Sequence, residues 1–303
     1  MPLTVTVLSL GLTGLLFFLI ALAVDWRIYA AASGLDKLIA LACPLEAAAL
    51  AAFGAEHLSG AAIVSPAVPR WMPWTLFWVY LVGSALLATA LCLALRRLFQ
   101  PSLVRLSAAL AGIMLYLFVA MIHIPNVIAA PQNRIIWNVV LRDFTFASGL
   151  IALAATGSVW PSALRSIPRL ISAVIAIIFG VENLLFPAFL PGVPLEKLSP
   201  AWLIWPHVWA AVTGLFLILC GAGMLLPRYA RTAAAISGLW QLALIFAIYL
   251  PMLAFAPPGG GKLEGLNYLW DTTLFASTWL LFAASMQPAQ ARKLTLISPQ
   301  AAD

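Results

Sequence analysis

The chain has 303 residues, of which 64% are hydrophobic and 9% charged, and its mean hydropathy is +1.03. A soluble domain is roughly half apolar and about a quarter charged, so this composition excludes a water-soluble fold. Sixteen Lys and Arg against ten Asp and Glu leave a net charge of +6, but the basic residues are scattered through short polar breaks. With no dense basic patch and no aromatic-interleaved basic stripe, a nucleic-acid interface is excluded too.

A spanning helix needs about 20 mostly apolar residues, because hydrocarbon offers its backbone no hydrogen-bond partner. Windows of that kind predict nine spans, at 4–24, 38–57, 74–96, 107–127, 137–159, 169–190, 203–226, 232–255 and 267–286. The runs are long, continuous and rich in Leu and Ala, which favours helices over the alternating ten-residue strands of a barrel. The first run lacks a basic n-region and is longer than a signal peptide's apolar core, so it reads as a retained anchor. Cys43, Cys92 and Cys220 lie in apolar segments with no CxxC or metal-ligand spacing and read as buried free thiols.

Counting Lys and Arg by side sets the orientation. Arg27, Lys37, Arg96, Arg97, Arg105, Arg165, Arg169, Arg228, Arg231, Arg292 and Lys293 fall on one side; Arg70, Arg134, Lys197 and Lys262 fall on the other, with Arg142 inside a span. The richer side is expected in the cytoplasm, which puts the N-terminus outside and the C-terminus inside, in a bacterial-type inner membrane.

Laid on itself, the chain repeats. Phe53-Gly54-Ala55-Glu56-His57 matches Phe179-Gly180-Val181-Glu182-Asn183, and at the same offset Gly112 meets Gly238 and Pro125 meets Pro251. A longer loop in the second copy brings Trp78, Gly83 and Arg97 onto Trp209, Gly214 and Arg228. Asn138 then falls on Asn267, and Phe146-Ala147-Ser148 on Phe275-Ala276-Ser277. Four spans per unit make the copies parallel, related about an axis along the membrane normal. The expected fold is therefore all-α and polytopic: a helix and loop over 1–37, four-helix units over 38–160 and 161–287, and a cytoplasmic tail over 288–303.

These landmarks also carry a resemblance. The four-span unit, with a glycine and an acid closing its first helix, a loop with Pro, then Trp205-Pro206-His207-Val208-Trp209 and Gly214, resembles the DoxX-like membrane protein superfamily over about 38–157 and again over 169–287. The resemblance implies a link to quinone-dependent respiratory subunits and to redox or stress-related membrane complexes. The first copy departs from the pattern in lacking a Pro-His pair before Trp78.

Ionisable groups at membrane depth are costly and face protein or a water-filled cavity. In the expected topology Glu56, His57, His123, Arg142, Asp143, Glu182, Asn183, His207 and Asp271 all fall in the outer half, and the cytoplasmic half is almost pure hydrocarbon apart from flanking arginines. They are the candidate ligand-binding residues of an outward polar cavity, with structural pairing of Arg142 to Glu56 or Asp143 as the plainer alternative. Glu46, near mid-membrane beside Pro44, is a candidate proton relay or a hydrogen-bonded carboxyl between helices. The three histidines sit on separate spans without HxxxH spacing, so no metal site is expected. Trp71, Trp74, Trp78, Trp202, Trp205 and Trp209 read as interfacial belts, and no nucleophile or nucleotide loop supports an enzyme. The leading expectation is a membrane subunit whose outward cavity handles a quinone or a redox partner; a small-solute transporter and a non-catalytic assembly protein are the alternatives.

Overall fold

The computed structural model describes residues 3–157, 161–193 and 195–286; the expected tail at 288–303 lies outside them. Among the described residues the fold is helical, and the one β feature is an isolated bridge between Phe189 and Leu198. In chain order the helices are α1 (Leu3–Ala31), α2 (Gly34–Ile39), α3 (Ala42–Ser59), α4 (Ala61–Val64), α5 (Thr75–Ala94), α6 (Pro101–Phe118), α7 (Ile124–Ala129), α8 (Arg134–Ala154), α9 (Ala163–Leu185), α10 (Pro206–Leu225), α11 (Ala230–Leu244), α12 (Leu250–Phe255) and α13 (Gly260–Ser285). One π turn, Val119–His123, joins α6 to α7, and another, Ile245–Tyr249, joins α11 to α12. Each π turn is followed two residues on by a proline, Pro125 or Pro251. Proline has no N–H for the helical ladder and its ring presses on the preceding turn, so the backbone widens there.

Counting α2 with α3, α6 with α7 and α11 with α12, eight helices are long and apolar enough to cross a membrane. The protein is an all-α polytopic membrane protein. The expected ninth span is α13, which is 26 residues long but outside that set. Its less apolar sequence is explained by position: from Thr272 to Ser285 every residue is buried, so Thr, Ser and Trp there meet protein and not lipid. The first helix runs to Ala31, seven residues past its expected end at 24, which carries Asp25 into the bundle. Thr6, Leu10, Gly14, Ala21 and Asp25 are the buried residues of α1, a single stripe along one side; Leu8, Leu12, Leu15, Leu16 and Leu19 on the rest of the helix are exposed. Gly14 lies directly under the Trp270 indole, where no side chain fits.

Two sets of four helices pack in the same order. α3 lies on α5 and α6 on α8; α9 lies on α10 and α11 on α13. The fourth helix of each set then reaches the first of the other, α13 on α3 and α8 on α9, and α8 meets α13 between them. Local details recur at matching positions. A Cβ on Gly54 would lie 2.9 Å from the Gly83 carbonyl, and one on Gly180 would lie 2.7 Å from that of Gly214, so both first-to-second crossings are glycine-on-backbone contacts. The residues entering α5 and α10, Trp74 and Trp205, share a left-handed conformation at φ 56 and 55. At the α8–α13 contact, Phe146 meets Phe275 with ring centroids 4.6 Å apart.

Candidate functional site

The site is built where α8, α13, the π turn before α7 and the ends of α3 and α9 converge. Arg142 on α8 is its centre: Nε donates to Asp143 Oδ1 at 2.9 Å, and a terminal nitrogen donates to Asp271 Oδ2 on α13 at 2.7 Å. Asp143 also takes a hydrogen bond from His123 Nε2 at 2.8 Å, with its other oxygen. The widened π turn ends at His123, which aims the imidazole at α8. One guanidinium thus serves two carboxylates, and a histidine serves the second face of one of them. A buried charge is tolerated only when paired and hydrogen-bonded, and every charge here is.

Glu56 and Glu182 flank this centre in reciprocal fashion. Asn267 on α13 donates through Nδ2 to Glu56 on α3 at 2.9 Å; Asn138 on α8 donates through Nδ2 to Glu182 on α9 at 2.5 Å. Each set's asparagine holds the other set's glutamate. Beyond this the two halves differ. Glu182 also faces Arg134 at 3.6 Å, and that guanidinium lies over the rings of Phe186 and Phe189 and donates to the Leu195 carbonyl.

A cavity of about 310 Å³ opens beside the Arg142–Asp271 pair, lined by those two residues with Leu195, Gly260, Leu263, Glu264, Asn267 and Tyr268. Its roof is the α9–α10 connection. Asn183 pins that segment by donating to the Gly192 carbonyl at 2.8 Å and accepting from its N–H, and Tyr249 donates to Pro191 O. Further along, Lys197 pairs with Glu264 at 2.5 Å on the cavity rim.

The structure therefore brings together Glu56, His123, Arg142, Asp143, Glu182 and Asp271 from the candidate set; of the two pairings expected for Arg142, the one with Asp143 is present, and its second partner is Asp271, while Glu56 bonds Asn267. Asn183 serves the roof, not the charges. His57 turns back on its own helix, Nδ1 donating to Phe53 O at 2.8 Å. His207 is exposed at the start of α10 and joins nothing in the cluster. Glu46 is fully buried; Ser277 donates to its Oε2 at 2.6 Å, and its Oε1 has no hydrogen-bond partner.

One expectation is corrected. The half of the bundle away from this site is not pure hydrocarbon: Asp25, 1% exposed, is enclosed by Arg96 and Arg97. These arginines read as flanking residues in the sequence, and Asp25 went unremarked beside Arg27. The signal was an acid one helical repeat beyond the buried stripe of Leu10, Gly14 and Ala21. Sequence reasoning also passed over Asn138 and Asn267 as site residues, although they repeat, and over Arg134, Glu264 and Tyr268.

No protein-family profile matches the chain, and no curated protein or solved structure matches it.

Proposed function

We propose that this chain is a DoxX-like integral membrane protein, built from two copies of a four-helix unit, that receives a small ligand in a pocket facing out of the cell. The observation that carries the reading is the cavity of about 310 Å³ that closes on the Arg142–Asp271 pair. It is of the size of small-molecule sites, with few polar groups converging on an otherwise closed bundle. Arg142 and Tyr268 give it donors; Leu195 and Leu263 give it apolar walls. The outward direction rests on the arginine count, which puts α8 and α13 N-termini on the side poorer in Lys and Arg.

A quinone head group is the ligand that the family resemblance supplies, with donors on the wall for its carbonyl oxygens. Glu46 remains a candidate proton relay at mid-membrane. A short-tailed ubiquinone analogue titrated against the full chain in nanodiscs is the test. Saturable quenching of tryptophan fluorescence, weakened about tenfold by Tyr268→Leu, is expected. Absence of saturable quenching removes the quinone; absence with every small ligand removes the pocket.

An assembly role is the second reading, favoured by one observation: Arg142, Asp143 and Asp271 already satisfy one another. Copurification of a stable membrane partner that survives Arg142→Ala, with no ligand bound, would select it.

A further inference from the structure

We propose that the pocket takes a small organic cation, with a guanidinium or primary ammonium group seated against Asp271 and Asn267. This rests on the pocket being a ligand site and names the class of ligand that fits it.

The first ground is charge. At the cavity floor the Arg142 guanidinium is shared by Asp143 and Asp271, and Asp143 has His123 as a further partner, so Asp271 on the lining holds only a share of one guanidinium. Next to them Glu56 has a neutral amide, Asn267, as its hydrogen-bond donor. At the rim Lys197 and Glu264 cancel. Carboxylates removed from water demand either a proton or a cation, and the lining offers acceptors to hold one. Asn267 donates its amide nitrogen to Glu56, and its Oδ1 is buried without a hydrogen-bond partner. The Tyr268 ring, also on the lining, is an aromatic face of the kind that attracts ammonium and guanidinium groups.

The second ground is the molecule's other half, which contains the answer in covalent form. In the register that places Asn138 on Asn267 and Arg142 on Asp271, Arg134 falls on Leu263. On the Arg134 side, the Asn138–Glu182 pair is completed by a guanidinium 3.6 Å from the carboxylate, lying over two aromatic rings. On the Leu263 side the matching Asn267–Glu56 pair has no such side chain, and the cavity is lined by Leu263 itself. The same scaffold thus supplies its own cation in one half and, at the matching helix position of the other, has an uncharged leucine on the cavity wall. A diffusible cation is the group that restores the equivalence.

The test uses the full chain in nanodiscs, with butylguanidinium and butylammonium as probes, butanol and butyrate as charge controls, and the short-tailed ubiquinone analogue as a neutral ligand. Saturable binding of both cations by calorimetry, with none of butanol or butyrate, is expected. Leu263→Arg installs the missing guanidinium and is expected to weaken cation binding by about tenfold or more. Glu264→Gln frees Lys197 at the exposed rim and is expected to weaken it by about threefold; being at the surface, it tests the idea even where Leu263→Arg fails to fold. Binding of the quinone analogue without the cations overturns the cation assignment and leaves the pocket. Binding of no probe overturns the pocket itself. Cation binding that neither substitution weakens places the cation elsewhere and overturns the assignment.

Discussion

Arg142 carries more of the outer cluster than any other residue, because both Asp143 and Asp271 depend on its guanidinium. Truncating one member of a buried ion pair leaves its partners charged and unpaired, which costs about 3 kcal/mol or more. Arg142→Ala is therefore expected to lower the unfolding free energy in detergent by about that amount. Adding Asp271→Asn removes one of the stranded charges, so the double variant is expected to be more stable than the sum of the single changes by about 1 kcal/mol or more. Strict additivity would mean that the pair is not coupled. Glu46 belongs to a different contact: it bonds Ser277 and does not line the cavity. Glu46→Gln is expected to leave ligand affinity within about twofold, while a proton flux measured in proteoliposomes would fall if it is a relay. What was legible at this scale was the list of charged residues. Their pairings were not, because Asp271 lies 129 positions from Arg142 in the chain and only helix packing decides which side chains meet.

At the scale of elements, the glycines that set the helix crossings are as demanding as the charges. Without a strong hydrophobic drive between helices in lipid, close backbone approach through small residues supplies much of the packing. A Cβ at Gly180 would sit 2.7 Å from the Gly214 carbonyl, and neither atom belongs to a flexible side chain. Gly180→Val is expected to destabilise the protein by about 2 kcal/mol or more in the same unfolding assay, whereas Gly260→Ala, with nothing within 4 Å of an added Cβ, is expected to change it by less than about 0.5 kcal/mol. Equal effects would show that the α9–α10 crossing is not fixed by backbone contact. What was readable in advance was the recurrence itself: Gly54 matches Gly180 and Pro125 matches Pro251 at one offset, which marks them as landmarks without saying what each does. The π turns inside the spans expected at 107–127 and 232–255 and the left-handed Trp74 and Trp205 were not readable, since hydropathy marks an apolar span but not how the backbone runs within it. The buried place of Asp25 was missed for a related reason. An acid beside Arg27 after a long apolar run reads as the edge of water, and only the continuation of α1 to Ala31 puts it against Arg96 and Arg97.

For the whole molecule, the two ends of the bundle are chemically unlike, and that difference is the ground of the proposed orientation. The ends of α5, α9 and α10 that carry Arg96, Arg97, Arg165 and Arg228 gather basic residues, while the opposite end holds the cavity, the His123–Asp143 pair and few Lys or Arg. Short loops rich in Lys and Arg tend to be retained in the cytoplasm, and the proposed outward cavity rests on that rule. Single cysteines test this, in a chain whose native Cys43 and Cys220 are buried and Cys92 partly so, with Cys92→Ser removing the accessible background. Lys262→Cys and Arg70→Cys are expected to react with a membrane-impermeant maleimide added to intact cells, and Arg228→Cys and Arg105→Cys only after the membrane is opened. The reverse pattern would turn the pocket toward the cytosol. The cation-binding geometry would survive that result, because it depends on Asp271, Asn267 and Leu263 and not on the side they face, but the ligand would then have to be sought inside the cell.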